Sequence, residues 1–333
     1  MISRLCTLVL LAAALLPATA GATTFKIATV SPAGSSWMRL MQEGADEIAE
    51  RSDGRVRFRF YPGGVMGDDA AVLRKIRFGQ LHGAAVTAGA LTPFYSDIQL
   101  YNLPMVFRDY DEVDAVRAEL DPVIEAGLRE NGFEIFGLGE AGFAYAMSQQ
   151  PTVSVAQARQ QKVWVPAHDA GARAALEGFG ITPVPLSIAD VLTGLQTDLI
   201  DAVAVPPVGA LALQWHTQVD YLLDLPLLYI YGALAMDTKA FRRLSEADRT
   251  LVREVMERQF DRITRANRAD HEAAMAALKK QGIEVLTPDA EQLETWRARG
   301  RDASAAMVEA GVVSGDLHDR MRSLLESLRA DAS

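Results

Sequence analysis

A single cysteine, Cys6, stands in the 333 residues, inside the first apolar run of the chain. Disulfides, thiolate catalysis and cysteine metal sites are therefore excluded downstream of it. Histidine is nearly as scarce. The five, His82, His168, His216, His271 and His318, have no helical or strand spacing that would build a zinc site. A GxSxG elbow, a Walker loop and a GxGxxG turn opening a helix are also missing. GLGEAG at Gly137–Gly142 comes nearest, but an extended pattern follows it instead of a helix. No cluster of Lys and Arg interrupts a formal charge of −10, which argues against a nucleic-acid surface. RVRFRF at Arg55–Phe60 alternates charge with Val and Phe and reads as a strand with one wet face. Gly67-Asp68-Asp69 reads as the cap and first turn of a helix, not as a metal pair. No catalytic constellation emerges, and neither a cofactor nor a metal is expected.

The N-terminus, MISRLCTLVLLAAALLPATAGA, has one basic residue, Arg4, an apolar run from Leu5 to Leu16, and small residues at Ala18, Ala20 and Ala22. That is the layout of a secretory signal peptide over residues 1–22, with cleavage expected after Ala20 or Ala22. The run is too short for a membrane span, and Cys6 sits too early in it to be the lipid-modified first residue of a lipoprotein. An exported protein not itself embedded in a membrane is expected. The composition, 49% hydrophobic and 23% charged, is that of a globular protein. Single cores stop growing at roughly 250–300 residues, so two lobes are expected.

Along the chain, strands alternate with helices. TFKIATVS reads as a strand, and Ser35 or Ser36 caps a helix from Trp37 to about Arg51 with apolar Leu40, Met41, Ala45, Ile48 and Ala49. VRFRFYP, a helix to Phe78 and GAAVTAG follow, then a helix over about 111–131, FEIFGLGE, and the extended AGFAYAMSQQP. A second series holds KVWVP, AGARAALEGFG, ITPVPLS, ADVLTGLQTDLI and DAVAVPP; Asp248 to Lys280 is one long amphipathic helix, with a polar helical stretch behind it. The pattern signals α/β lobes with largely parallel sheets. Ligands are expected at the carboxyl ends of the strands, in a cleft between the lobes.

YPGGVMGDDAAVLRKIRFGQLHGAAV, LPMVFRDYDEV, KVWVP, TPVPLSIADVLTGLQTDLIDAV and MDTKAFRRLSEADRTLVREVM, in this order and spacing, resemble the solute-binding subunits of tripartite ATP-independent periplasmic (TRAP) transporters, the DctP-like family. The resemblance spans nearly the whole chain after the leader. It implies a two-lobed periplasmic binding protein with hinge strands and a long bracing helix. Such a protein captures a small organic molecule and delivers it to integral membrane permease subunits. The expected division is 23–141 plus 230–269 for lobe I and 142–229 plus 270–333 for lobe II. A ligand-presenting receptor for a sensor or soluble partner is the alternative, and an exported hydrolase a more distant one.

The site departs from the family pattern. The resemblance places an arginine that grips a solute carboxylate in the strand KVWVP, where this chain has Trp164, and a second arginine where it has Ala144. A family asparagine falls near Val205 and an aromatic residue near Ile188. A hydrogen bond to a charged group contributes about 1.5–3 kcal/mol, whereas a tryptophan offers about 150–250 Å² of mostly apolar surface. Hydrophobic contact in place of an ionic grip predicts a solute more apolar than a C4-dicarboxylate.

Trp164 either packs in the core or floors the cleft. Val163 and Val165 already supply one buried face, so strand alternation puts Lys162, Trp164 and Pro166 toward the cleft, with Lys162 as a possible substitute cation. Trp37, at a helix start, and Trp215, beside His216 after the Pro206-Pro207 stop, are further candidates. Tyr145 alternates with Phe143 in one hinge strand, and Tyr231 with Tyr229 in the returning one. Thr87 and Glu140 are the expected polar contacts, and Val205, Pro206 and Ile188 complete the expected wall.

Overall fold

The computed structural model describes residues 22–331. The proposed leader with Cys6, up to residue 21, and residues 332–333 lie outside it. Eleven strands form one branched sheet system: β1 Thr23–Thr29, β2 Val56–Tyr61, β3 Gly83–Thr87, β4 Phe133–Glu134, β5 Leu138–Ser148, β6 Val163–Pro166, β7 Pro183–Leu186, β8 Ala202–Val205, β9 Tyr221–Leu223, β10 Leu228–Asp237 and β11 Glu284–Leu286. The order is β2-β1-β3-β10-β5-β8-β6-β7, with β4 beside β10, and β9 pairing both β5 and β11. In lobe I, β1 runs parallel to β2 and β3; in lobe II, β6 runs parallel to β7 and β8. Helices pack against β2, β3 and β6; β6 and β8 are the near-continuous apolar runs of covered parallel strands, whereas the edge strand β2 alternates and keeps one wet face.

The two lobes are joined by β5. Its first residues pair antiparallel with β10, and Tyr145–Ser148 pair with β8. The two segments read as separate, FEIFGLGE and AGFAYAMSQQP, thus share the one strand β5, and FEIFGLGE is divided between β4 and β5. Gly142 permits this continuity: its φ of 101° is in the region that favours glycine, and the register shifts opposite it, between Ile230 and Tyr231.

Local signals positioned the helices well. Ser35 Oγ accepts from Met38 N at 3.2 Å and starts the helix Ser36–Arg51, which buries Met38, Met41, Ala45 and Ile48. Asp68 accepts from Ala71 N at 2.7 Å, so the Asp pair is a cap at the start of the helix Asp69–Arg77. The long helix runs Glu246–Lys280, 35 residues, or about 52 Å at 1.5 Å per residue. Its first half packs Leu251, Val255, Met256 and Phe260 into the lobe I core, and Leu278 joins the lobe II core. It therefore braces both lobes.

The end of the chain departs from the expected division. Helix Gly315–Asp331 sets Leu317, Met321 and Leu325 against Val113, Val116 and Leu120 of helix Tyr110–Glu130, and Arg329 Nε donates to Glu112 Oε1 at 2.7 Å. It lies on lobe I, not with lobe II as the 270–333 assignment had it. The preceding helix, Ala290–Glu309, puts Trp296 and Ala303 into the lobe II core and Met307 into that of lobe I. An amphipathic stripe at i, i+4, i+8 says that a helix must be covered, but not by which lobe.

Candidate functional site

A cavity of about 830 Å³ lies between the lobes. Its wall comes from the carboxyl ends of β1, β3, β6 and β8, the hinge strands β5 and β10, and the lobe II half of the long helix. The surface is mainly apolar, and all four tryptophans touch it. Of the expected residues, Trp37, Thr87, Glu140, Trp164, Ile188, Val205, Pro206, Trp215 and Tyr231 line it; Tyr145 and Lys162 do not.

Lys162 fails because β6 begins only at Val163, so strand alternation does not extend to it. Its Nζ donates to Asp198 O at 2.7 Å on the exposed side. Tyr145 lies at the crossing between lobes, its ring 5.7 Å from that of His271, and burial pushes its hydroxyl up to about 12. Ala144, the second position of the family arginine, is fully buried and does not line the cavity.

Trp164 fills both of its alternative roles. It is only 8% exposed and packs edge-on against Trp215 at 5.1 Å between ring centroids. Its Nε1 donates to Leu186 O at 3.0 Å, so the indole keeps no free donor for a ligand and offers the cavity carbon surface alone.

The expected polar contacts are likewise engaged within the protein. Thr87 Oγ1 donates to Asp69 Oδ2 at 2.9 Å, and the Tyr231 hydroxyl donates to Ile98 O. The Glu140 side chain, 0% exposed, receives Arg268 Nη2 at 2.8 Å and the Tyr229 hydroxyl at 2.9 Å. Arg268 also grips Asp114 at 2.6 and 2.8 Å. A buried charge must be paired, so Glu140 fastens the hinge strand to the bracing helix and is not free for a solute.

Sequence reasoning missed a hydrogen bond between the lobes. Asp169 Oδ1, at the cap of helix Ala170–Gly178, accepts from Gln99 Nε2 of lobe I at 2.8 Å. Gln99 in turn donates to Thr92 Oγ1 at 2.9 Å. The Asp169 carboxylate lies directly on Gly89, where an added Cβ would fall 1.8 Å from Oδ2. A helix-cap aspartate and a glutamine of the 3-10 helix Ser96–Asn102, 70 residues apart, carry no local sign of meeting.

Burial raises the Asp169 carboxyl above its ordinary value against the opposing hydrogen bonds from Ala172, Gln99 and Gly171; burial raises Asp69 in the same direction. Parting of the lobes would solvate Asp169. The closed form therefore holds a proton that the open form does not, between the ordinary aspartate value of about 3.9 and the raised one. This contribution to closure is complete below the ordinary value and is lost as pH rises through the raised value. Solute affinity is expected to rise on acidification across that window. Asp169→Asn, which keeps an acceptor for Gln99, is expected to flatten the dependence in calorimetric titrations against pH; an unaltered slope would place the titration elsewhere.

Other wall residues also went unanticipated. Ser36 Oγ donates to Asp270 Oδ2 at 2.8 Å, and Arg39 Nη2 donates to Ser36 Oγ at 3.1 Å. Arg39, itself exposed, is the one basic residue of the lining among the described residues. No group of three or more acidic, His or Cys side chains suited to a metal occurs among the described residues, and no helix among them is long and apolar enough to cross a membrane.

Two lobes meeting over a cavity, with a strand passing from one to the other, are the architecture of a two-lobed solute-binding protein. The model of the bacterial extracellular solute-binding protein family 7, DctP, matches residues 27–310, and the chain belongs to that family. The sialic acid-binding periplasmic protein SiaP of Vibrio cholerae is 22% identical over 275 residues, 81% of this chain and 84% of that one. The 2,3-diketo-L-gulonate-binding periplasmic protein YiaO of Escherichia coli is 25% identical over 255 residues, 73% of this chain and 74% of that one. Among solved structures, the sugar acid binding protein DctPAm of Advenella mimigardefordensis with galactonate superposes with a TM-score of 0.85 at 16% identity, over 92% of this chain and 99% of that one. A TRAP periplasmic solute-binding protein of Sulfurospirillum deleyianum with succinate gives 0.84 at 18%, over 91% and 99%. These likenesses establish the two-lobed fold.

Proposed function

We propose that this protein captures a small, mainly apolar organic molecule in the periplasm and hands it to a TRAP-type membrane permease. The observation that carries this reading is Trp164. It occupies the place where the resemblance puts a guanidinium, its one polar atom is spent on Leu186 O, and the only basic residue of the wall among the described residues is the exposed Arg39. The relatives named for sialic acid and 2,3-diketo-L-gulonate, and the structures holding galactonate and succinate, all concern acids. For this chain the capture of a small organic molecule carries over, while the ionic grip does not. Aspartates at 169 and 270 on the wall further disfavour a multiply charged anion.

The test is calorimetry with galactonate and succinate, alongside extraction of whatever co-purifies with the protein. Wild type is expected to bind neither acid at micromolar concentration and to yield an apolar molecule; micromolar binding of either acid would overturn the reading. Trp164→Arg is expected to improve binding of the acids by roughly 10- to 150-fold, the value of a charged hydrogen bond of about 1.5–3 kcal/mol. It should also lower the stability of the empty protein, because the new cation is buried without a partner.

A further inference from the structure

The cavity does not stop at Trp164. It also touches Ala158, Val163, Phe179, Ile181, Ala202 and Trp296, which form the hydrophobic cluster on the opposite layer of lobe II from Trp164 and Trp215. Val163 and Trp164 are neighbours on β6 and point to opposite faces, and the cavity reaches both. Space exists in this layer because alanines at 146, 158 and 202 supply a methyl group where Leu or Ile would close the gap.

The chamber is not wholly apolar. Two buried amide oxygens on its wall, Asn102 Oδ1 near the interlobe contact and Gln161 Oε1 just before β6, have no hydrogen-bond partner among the described residues. A buried polar atom left unpaired is costly. β6 itself, Val163–Pro166, covers about 10 Å from the cleft inward, and Gln161 lies two residues beyond its inner end.

We propose that this chamber is a second binding compartment, which takes the apolar chain of an elongated, uncharged solute bearing a hydroxyl group at its inner end, placed on Gln161. A hydroxyl both donates and accepts, so it satisfies the amide in either orientation. The inference rests on the apolar-solute reading above and adds the shape of the solute and its terminal group.

The probes are n-alkan-1-ols and α,ω-alkanediols of about four to about twelve carbons, titrated into the wild-type chain and followed by tryptophan fluorescence. Affinity is expected to rise roughly fourfold per methylene until the chamber is filled. Long diols should bind roughly two- to tenfold more tightly than the alkanols of equal length. Gln161→Leu is expected to abolish the diol advantage, and Ala158→Leu to move the plateau to shorter chains. If short alcohols bind and added length gains nothing, the chamber is overturned while the apolar cleft stands. If no alcohol binds at any length and galactonate does, the apolar-solute reading itself fails. A diol advantage surviving Gln161→Leu would overturn the assignment to Gln161.

Discussion

Replacing Gly89 by alanine is expected to weaken binding of the co-purifying solute by roughly 10- to 150-fold, while the empty protein keeps nearly its full thermal stability. The added methyl group would lie 1.8 Å from Asp169 Oδ2 and 2.2 Å from its Cγ, so the lobes could meet only with the carboxylate displaced from Gln99. Above the raised Asp169 value, where the carboxylate is ionised, the Gln99 to Asp169 hydrogen bond, 2.8 Å long, is to a charged group and contributes about 1.5–3 kcal/mol, which sets the range. In the open form nothing opposes the methyl group, and alanine suits the short helix Ala88–Leu91 better than glycine does. Calorimetry gives the affinity, and small-angle scattering with and without solute shows whether the lobes still close. Full affinity in Gly89→Ala would mean that closure does not pass through this contact.

The largest loss of stability is expected from Arg268→Ala. Glu140 is fully buried, and Arg268 supplies hydrogen bonds to both of its oxygens, at 3.1 Å to Oε1 and 2.8 Å to Oε2, while also lying 4.4 Å over the Tyr110 ring. Removing one partner of a buried ion pair strands the other charge and costs about 3–5 kcal/mol. The double variant Arg268→Met with Glu140→Gln removes both charges and is expected to recover most of that loss in urea denaturation. Equal losses in the single and double variants would show that packing of the arginine stem, not the stranded carboxylate, dominates.

Legibility from sequence followed the range of the interactions concerned. Ser35, Asp68 and Ser245 cap their helices through residues three positions on, and such contacts are readable because both partners lie in one short stretch. The cavity wall was readable to the extent that strand ends in an α/β fold converge, which brought Trp37, Thr87, Trp164 and Val205 together. Lys162 was misplaced because alternation was carried one residue beyond the start of β6. Trp296 was missed for a different reason: it lies in a polar helix far along the chain, and only the packing of that helix on lobe II, with Nε1 donating to Val153 O at 2.9 Å, turns it toward the cavity.

The order of strands and helices, the capped boundaries, the long bracing helix and the tryptophan at position 164 were determined by the amino-acid sequence itself, since each depends on residue type and short-range periodicity. Three things were decided only by tertiary structure: that Glu140 is bound to Arg268, that Asp169 meets Gly89 and Gln99 across the lobes, and that the C-terminal helix lies on lobe I. Each joins groups distant in the chain, and the free energy of such a contact depends on burial and geometry that exist only once the lobes have packed.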